Sequence, residues 1–286
     1  MTRTMSWLLL TLLVAGCASV GEPGPSGTLG KIRQSGGIAL GYREAAVPFS
    51  HLAENKQPAG YSVELCKRVV EGLRQQLALP ELKMTWVPVT AENRIERVKS
   101  GQVDLECGIT TMTLSRQAEV DFSLMTFVDG ASILVRSDAG NKTLEQIGTA
   151  RIGVSKGTTT EAILRAALKD RQVKAELVPL ASHAEGLAQL RDGRIFAYAA
   201  DRTVLIGMAL STQSGTAFFV ADEMFSYEPY GLMMRRDPDF RLAVNKALAQ
   251  IYRSGEVFGI YRQGLGALGE PSGLLKAMYL LQALPE

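Results

Sequence analysis

The stretch whose residue types most clearly suggest chemistry is residues 106–123, ECGITTMTLSRQAEVDFS, which is rich in hydroxyl groups and contains one arginine. It begins at the end of an apolar run, residues 103–107, that is typical of a short buried strand. Backbone N–H groups, threonine hydroxyls and the Arg116 guanidinium after such a strand predict a site for a small anion, and a carboxylate matches the planar guanidinium. An ordinary strand-to-helix turn, in which Thr113 or Ser115 caps the helix and Arg116 is solvated, remains open.

Two further arginines occupy comparable positions. Arg43 lies at the end of the apolar strand predicted at residues 37–43, and Arg94 lies beside the end of the strand predicted at residues 84–89. Each of them alone is more simply interpreted as a surface arginine. Together with Arg116, they place three guanidinium groups at strand ends in one half of a near-neutral protein, which indicates a shared anion site.

The second half of the sequence offers candidates that could face the same ligand. Ser155 and Thr158 precede a predicted helix whose free N–H groups could bind an anion, although Thr158 and Glu161 also have the spacing of a plain capping box. Asp201 ends an apolar strand and could complement an ammonium group, but a strand-end aspartate that starts a helix is equally common. His183 follows another predicted strand, where a solvated loop histidine is the simpler interpretation.

Other chemistries find no support in the sequence. The chain has 286 residues, a formal net charge of +2, two histidines and three cysteines. This charge balance does not favour nucleic-acid binding, and the scattered histidines and cysteines do not form a metal-ligand pattern. There is no phosphate-binding loop, nucleophile elbow or dinucleotide fingerprint, so we expect no metal and no cofactor.

The elements that must position these residues follow one pattern twice, strand–helix–strand–helix–strand. The clearest echo is between KSGQVD at residues 99–104 and RDGRIF at residues 191–196. A long amphipathic helix from Pro238 and a last helix at about residues 273–284 follow the second copy. The pattern predicts two α/β lobes with parallel sheets, two crossings at about residues 127–135 and 228–234, and a ligand cleft at the carboxyl ends of the strands.

The N-terminus is predicted to direct export. Arg3 precedes an apolar run at residues 7–14 that is too short to span a bilayer but suits a secretory signal peptide, assigned to residues 1–16. The run LVAGC resembles a bacterial lipobox, so we expect Cys17 to be lipidated and residues 17–27 to form a flexible linker. A plain signal peptide cut nearby is the alternative, and which membrane would hold the anchor stays open.

Cys66 and Cys107 then remain in the exported part of the chain. An oxidising compartment permits a disulfide between them, whereas two buried free thiols explain the sequence equally well.

With these residues assembled, the chain resembles bacterial extracellular solute-binding proteins of family 3, the polar amino-acid type, and most closely those that bind glutamate and aspartate for ABC importers. The resemblance runs from residue 27 to about residue 263. It is carried by GTLGKI (27–32), GYREAAVPFS (41–50), ENRI (92–95), residues 106–123, SKGTT (155–159) and YG (230–231).

The resemblance implies a two-lobed periplasmic-binding-protein fold of type II, α/β in class. Each lobe would be a mostly parallel sheet flanked by helices, with lobe 1 formed by residues 28–130 and 232–286 and lobe 2 by residues 131–231. It further implies a periplasmic monomer without enzymatic activity that delivers an amino acid to a membrane permease, and the lipobox-like run predicts that Cys17 anchors it to a membrane.

The resemblance also implies how the α-groups of the amino acid are bound. Arg116 would hold the α-carboxylate with help from Thr111 and from backbone groups near Thr158. Asp201 would hold the α-ammonium group together with the Gly108 carbonyl and the Thr111 hydroxyl.

The side-chain carboxylate of the ligand is expected in a second position. Arg43 and Arg94, with His183, would meet that carboxylate, and Ser155 and Thr158 would close over it from lobe 2. A dicarboxylic amino acid is therefore the expected ligand.

Two departures and two rival hypotheses qualify this expectation. Ala91 and Ile109 stand where similar dicarboxylate binders carry small hydroxyl residues, which could shift the preference among ligands. A periplasmic enzyme on the same scaffold, such as a cyclohexadienyl dehydratase, would need a general acid or base, for which Glu106 and Glu228 are the candidates. A ligand-reporting module that docks to a membrane receptor is the other possibility.

Overall fold

A computed structural model describes residues 27–212 and 218–285. The predicted signal peptide, the lipidation site Cys17 and all of the predicted linker except Gly27 lie outside the described residues. Gly27 is the first residue of a helix, Gly27–Ser35 (α1), which the sequence analysis did not predict. In the part of the chain that is described, no helix combines the length and the apolar character needed to cross a membrane.

The first sheet contains the three parallel strands predicted from the first copy of the pattern and two further strands that join it through antiparallel pairing. In spatial order these strands are Lys83–Pro88 (β5), Gly37–Tyr42 (β1), Leu105–Glu106 (β6), Glu228–Met234 (β13) and Asp121–Asp129 (β7). Strand β5 carries Pro88 at the edge of the sheet, where a residue without an N–H group costs no ladder hydrogen bond.

The second sheet repeats this arrangement, again with three adjacent parallel strands and two further strands that join through antiparallel pairing. Its strands in spatial order are Glu176–Leu180 (β10), Arg151–Ser155 (β9), Ala197–Asp201 (β11), Ala131–Arg136 (β8) and Phe218–Val220 (β12). The predicted two-lobed α/β architecture is confirmed. Each sheet is mostly parallel but mixed, because one strand, β13 in the first sheet and β8 in the second, runs against the other four.

The chain crosses between the sheets twice, as predicted, but the second crossing lies before the predicted residues 228–234, which form a strand of the first sheet. The first crossing is made at Gly130 between β7 and β8, where a Cβ atom would lie 2.6 Å from the carbonyl oxygen of Ser226 in the other crossing segment. The second crossing leads from β12 to β13, and β13 belongs to the first sheet from Glu228 onward. The predicted division, with residues 131–231 as lobe 2, stays a prediction.

A small three-stranded sheet follows β1 and is formed by Ala45–Ala46 (β2), Ser50–Leu52 (β3) and Pro58–Ala59 (β4). The remaining helices in the described ranges are Tyr61–Gln76 (α2), Arg94–Lys99 (α3), Leu114–Gln117 (α4), Leu144–Ile147 (α5), Thr159–Asp170 (α6), His183–Arg191 (α7), Arg202–Ser211 (α8), Pro238–Arg253 (α9), Glu256–Leu265 (α10) and Gly273–Leu281 (α11). Short 3-10 turns occupy Ser137–Ala139 and Gly266–Leu268.

Helices α2 and α9 cover the first sheet and pack closely on each other. A Cβ atom at Gly72 would lie 2.7 Å from the Cβ atom of Ala247, so the absence of a side chain there permits the close approach. The buried positions of α2 include Cys66, Val69, Val70 and Leu73, which share one helix face, and Leu77 directly after the helix is buried as well. Helix α9 begins with Pro238 in its first turn, where a proline loses no helical hydrogen bond.

A disulfide joins Cys66 in α2 to Cys107, the residue after β6. The two Cα atoms are 6.0 Å apart, a separation that a disulfide spans. The structure thus decides between the two alternatives that the sequence left open, and it ties the segment after β6 to the helix behind it.

Candidate functional site

A cavity lies between the two sheets, where the carboxyl ends of their parallel strands face each other. Seven of the nine predicted ligand-binding residues line it: Arg43, Arg94, Thr111, Ser155, Thr158, His183 and Asp201. Ile109, Thr159, Thr160, Ala199 and Ala200 complete the lining. Residues at the carboxyl ends of parallel strands in both halves of the chain thus meet at one cavity, as expected for open parallel sheets.

Arg43 and Arg94 supply positive charge to this cavity. Their exposures are only 6% and 2%, and the Nε and Nη1 atoms of Arg94 have no hydrogen-bond partner within residues 27–212 and 218–285. Burial, followed by repulsion from Arg43 and Arg116, lowers the pKa of Arg94 to about 9. A buried guanidinium whose donors are unused calls for an anion, since unpaired buried charges are costly.

His183 lies beside the two arginines as a neutral ring. Burial, followed by the charges of Arg43 and Arg94, lowers the pKa of His183 to about 3. Its Nδ1 atom is 2.9 Å from the Tyr198 hydroxyl, which is 2.7 Å from the Ser155 hydroxyl. If Tyr198 donates to Nδ1, the ring proton lies on Nε2, a buried atom with no partner in the described chain. In that tautomer His183 is a further donor for a ligand oxygen.

Asp201 supplies the opposite charge. Its carboxylate accepts hydrogen bonds from the hydroxyls of Thr160, at 3.1 Å, and of Tyr230. Burial raises the pKa of Asp201 to about 7, and the nearby carboxylates of Glu228 and Asp129 add to the effect. A ligand ammonium group placed here would favour the ionised carboxylate and relieve this cost.

Helix α6 presents its N-terminus to the cavity through Thr158. The Thr158 hydroxyl accepts a hydrogen bond from the Glu161 N–H at 3.1 Å and donates one to the Ser155 carbonyl at 2.7 Å. The predicted N-cap is therefore present. It leaves other N–H groups of the first helical turn without helical partners, and these suit a carboxylate.

The two lobes touch each other around the cavity. The hydroxyls of Thr111 and Thr159, which belong to opposite lobes, are 3.2 Å apart. A Cβ atom at Gly157 would lie 3.2 Å from the carbonyl oxygen of Ala91 on the opposite side of the cleft. The structure accordingly represents a closed arrangement of the cleft.

Two predicted ligand-binding residues, Arg116 and Gly108, do not line the cavity. The half-buried Arg116 donates from Nη1 to the carbonyl oxygen of Thr111 at 2.8 Å. Its guanidinium still acts on the site electrostatically, because it contributes to the lowered pKa of Arg94. Gly108 lies against the Glu106 carboxylate, and a Cβ atom there would be 2.1 Å from Oε1.

The sequence analysis missed several residues that shape the site, notably Tyr198, Tyr230 and Thr160. Tyr198 and Tyr230 are buried residues within strands, a pattern that is indistinguishable from ordinary core aromatics. Thr160 could have been found, because it lies two residues after Thr158 in the first turn of the predicted helix. Within the described residues no group of three or more histidine, cysteine or acidic side chains could hold a metal ion.

Comparison with known families agrees with this geometry. Residues 38–267 match the profile of bacterial extracellular solute-binding proteins, family 3. The chain belongs to this family. The family resemblance stated from the sequence is thus confirmed, and the chain is an extracytoplasmic solute-binding protein.

Similar proteins with assigned roles include two binding proteins. The L-glutamate/L-aspartate-binding protein of Pseudomonas aeruginosa is 36% identical over 271 residues, which is 93% of this chain and 90% of that protein. The glutamate/aspartate import solute-binding protein of Escherichia coli K12 is 30% identical over 252 residues, or 87% of this chain and 83% of that protein. These relatives are transport proteins, and this solute-binding protein is not an enzyme.

Solved structures confirm the type II periplasmic-binding-protein fold. An ancestral arginine-binding protein bound to glutamine matches with a TM-score of 0.72 and 26% identity, covering 81% of this chain and 98% of that one. An ancestral amino acid-binding protein described as a precursor of cyclohexadienyl dehydratase matches with a TM-score of 0.70 and 27% identity, covering 84% of this chain and 99% of that one.

Proposed function

We propose that this solute-binding protein captures glutamate or aspartate in the cleft and delivers it to an ABC importer. The observation that carries the proposal is the buried Arg94 guanidinium beside Arg43, whose Nε and Nη1 atoms have no partner among the described residues and which shares the cavity with the carboxylate of Asp201. A dicarboxylic amino acid has two carboxylates for the cationic side and one ammonium group for Asp201. Neutral or basic amino acids would leave the buried positive charges unpaired.

The contacts support a division of the ligand into three parts. Its ammonium group would lie at Asp201, and its side-chain carboxylate would accept hydrogen bonds from Arg43, Arg94 and His183. Its α-carboxylate would lie against the N-terminus of α6 near Thr158. Charge-assisted hydrogen bonds of this kind contribute roughly 1.5–3 kcal/mol each, so each arginine is expected to matter about 10- to 150-fold in affinity.

We propose that Arg116 and Gly108 act from just outside this lining. Arg116 would support the α-carboxylate site because its guanidinium holds the Thr111 carbonyl. Gly108 would admit the Glu106 carboxylate, whose negative charge favours the charged form of Arg43.

The assigned roles of the relatives support this ligand class. Both relatives are named as glutamate/aspartate-binding proteins, and their sequences align with most of this chain. Ile109 places an apolar side chain in the cavity lining, where similar dicarboxylate binders were expected to carry a hydroxyl. We expect this substitution to alter the preference between glutamate and aspartate rather than the preference for a dicarboxylate.

The test is a calorimetric screen of the purified protein against the twenty amino acids and simple dicarboxylic acids. We expect glutamate or aspartate to bind most tightly, Arg43→Ala to lose the dicarboxylic ligands selectively, and Arg116→Ala to weaken the binding of all amino acids. Unchanged glutamate binding by Arg43→Ala would contradict the dicarboxylate assignment.

We also propose that the protein is a monomer, that Cys17 is lipidated, and that the anchor tethers it in the periplasm beside its permease. The support is the run LVAGC after a short apolar segment. Mass spectrometry of the exported protein tests the modification, with Cys17→Ser as the variant that should lack acyl chains and leave the membrane fraction. An unmodified Cys17 would exclude the anchor.

The enzyme hypothesis loses its candidate residues. Neither Glu106 nor Glu228 lines the cavity. Glu228 instead accepts hydrogen bonds from threonine side chains, and Glu106 is fully buried behind the arginines. The structure provides no positioned acid or base from these two residues.

A further inference from the structure

Glu228 accepts hydrogen bonds from three hydroxyl groups. It is fully buried, with 0% exposure, at the start of β13. Its Oε2 atom accepts from the hydroxyls of Thr111 at 2.6 Å and of Thr159 at 2.8 Å, and its Oε1 atom accepts from Ser226 at 2.9 Å. Hydrogen bonds to an ionised acceptor are among the stronger ones in proteins.

These donors come from parts of the molecule that must separate when the cleft opens. Thr111 is fixed to the first sheet, because it forms a bridge with Tyr230 of β13. Thr159 is the first residue of α6, which packs on the second sheet. A rotation of the second sheet away from the first would therefore withdraw Thr159 from Glu228 while Thr111 stays in place.

The same carboxylate is connected to both crossing segments. Ser226, which donates to Glu228, precedes β13 and accepts a hydrogen bond from the backbone N–H of Ala131 at 2.8 Å. Ala131 is the first residue of β8, directly after the first crossing. Glu228 is thus linked to both crossings and to the facing edges of both lobes.

We propose that Glu228 is a positioning residue that holds the cleft closed by joining Thr111 and Thr159, without touching the ligand. Glu228 is not part of the cavity lining, so its effect on binding passes through the two threonines. It stabilises the closed arrangement whether or not a ligand is present, and it slows ligand release. The proposal rests on the proposed function only in assuming that an amino acid is released by opening of this cleft.

A purely structural role and a closing role predict different results. If Glu228 only supports folding, its loss lowers the stability of the protein but leaves the ligand dissociation rate unchanged. If it holds the cleft closed, removal of either partner accelerates dissociation and leaves the association rate nearly unchanged. Loss of one such hydrogen bond is expected to change the dissociation rate about tenfold.

The experiment compares Thr159→Val, which removes only the lobe 2 hydroxyl, with Glu228→Gln and the double variant. Stopped-flow measurements follow L-glutamate release, and small-angle X-ray scattering follows the radius of gyration without ligand. Glu176→Gln is the matched charge control, because this exposed carboxylate lies on the outer strand β10.

We expect each single variant to release glutamate about tenfold faster, the double variant to be no faster than the singles, and the control to match the unsubstituted protein. Dissociation within about twofold of the unsubstituted protein, or rate effects that multiply in the double variant, would overturn the proposal. If the unsubstituted protein does not bind glutamate, the proposed ligand is wrong. The closing role of Glu228 is then tested by the scattering measurements alone. A larger ligand-free radius for Thr159→Val then supports the closing role, and equal radii refute it.

Discussion

A substitution at Arg94 is expected to change ligand affinity and the free energy of unfolding in opposite directions. Its buried guanidinium leaves Nε and Nη1 without partners in the described residues, and its pKa is lowered to about 9. Since a tenfold change in proton affinity corresponds to about 1.4 kcal/mol, keeping this group charged costs the ligand-free fold on the order of 5 kcal/mol. A lowered pKa of a basic group means that this cost is fully present at neutral pH, where the group is charged.

The perturbation is Arg94→Leu, which removes the charge and keeps an apolar side chain in the buried position. Because packing contacts of the arginine stem are also lost, we expect only part of the cost to be recovered. The ligand-free protein should gain about 1–3 kcal/mol in its free energy of unfolding. Its affinity for glutamate should fall about 10- to 150-fold, because a charge-assisted contact disappears.

Urea unfolding monitored with and without saturating L-glutamate measures both effects. In the unsubstituted protein glutamate should raise the stability through mass action, and in Arg94→Leu most of this increase should vanish. Arg97→Leu is the matched control, because it places the same substitution in helix α3 outside the cavity. Its stability should stay within about 0.5 kcal/mol, and its response to glutamate should be unchanged.

One result would refute the reasoning. If ligand-free Arg94→Leu is less stable than the unsubstituted protein by more than about 1 kcal/mol while Arg97→Leu is not, the guanidinium is stabilised by its surroundings. It would then be a structural group and not a charge held ready for an anion.

Three further predictions concern other parts of the site. Because the pKa of Asp201 is raised to about 7, the affinity for glutamate should fall as the pH drops below this value, and binding there should release a proton. The same raised pKa should make the ligand-free protein less stable as the pH rises from about 4 to 7. Titration and scanning calorimetry at several pH values measure the two effects. Tyr198→Phe should weaken aspartate and glutamate binding about tenfold, because His183 loses the hydroxyl that orients its ring; an unaltered affinity would contradict that role. Gly108→Ala should lower dicarboxylate affinity by displacing the Glu106 carboxylate, and an unshifted dissociation constant in titrations would argue against this contact.

Local patterns in the sequence were sufficient to predict the parallel half of each sheet. The apolar face of α2, including Val69 and Leu73, follows from helical spacing alone. The two further strands of each sheet were not predicted, because apolar runs such as those in β7 and β8 are consistent with several partners. Strand pairing depends on residues far apart in the sequence.

Site residues were predictable from the sequence where their position at the end of a strand alone determines where they lie. Arg43 and Asp201 end parallel strands, so the topology alone sends them to the cleft. The placement of Arg116 depends on the conformation of the turn before α4, which spacing does not specify. Tyr198 could not be recognised either, because the same burial pattern suits a core residue.

The disulfide between Cys66 and Cys107 has a consequence for when the protein acquires its native stability. The two cysteines are 41 positions apart in the sequence, and a crosslink that closes a loop of this length is worth about 4 kcal/mol in the chain-entropy model. A chain that folds in the reducing cytosol lacks that contribution and is correspondingly easier to unfold for translocation. An oxidising compartment outside the cytosol permits the bond, which then fixes the segment next to Gly108 against α2.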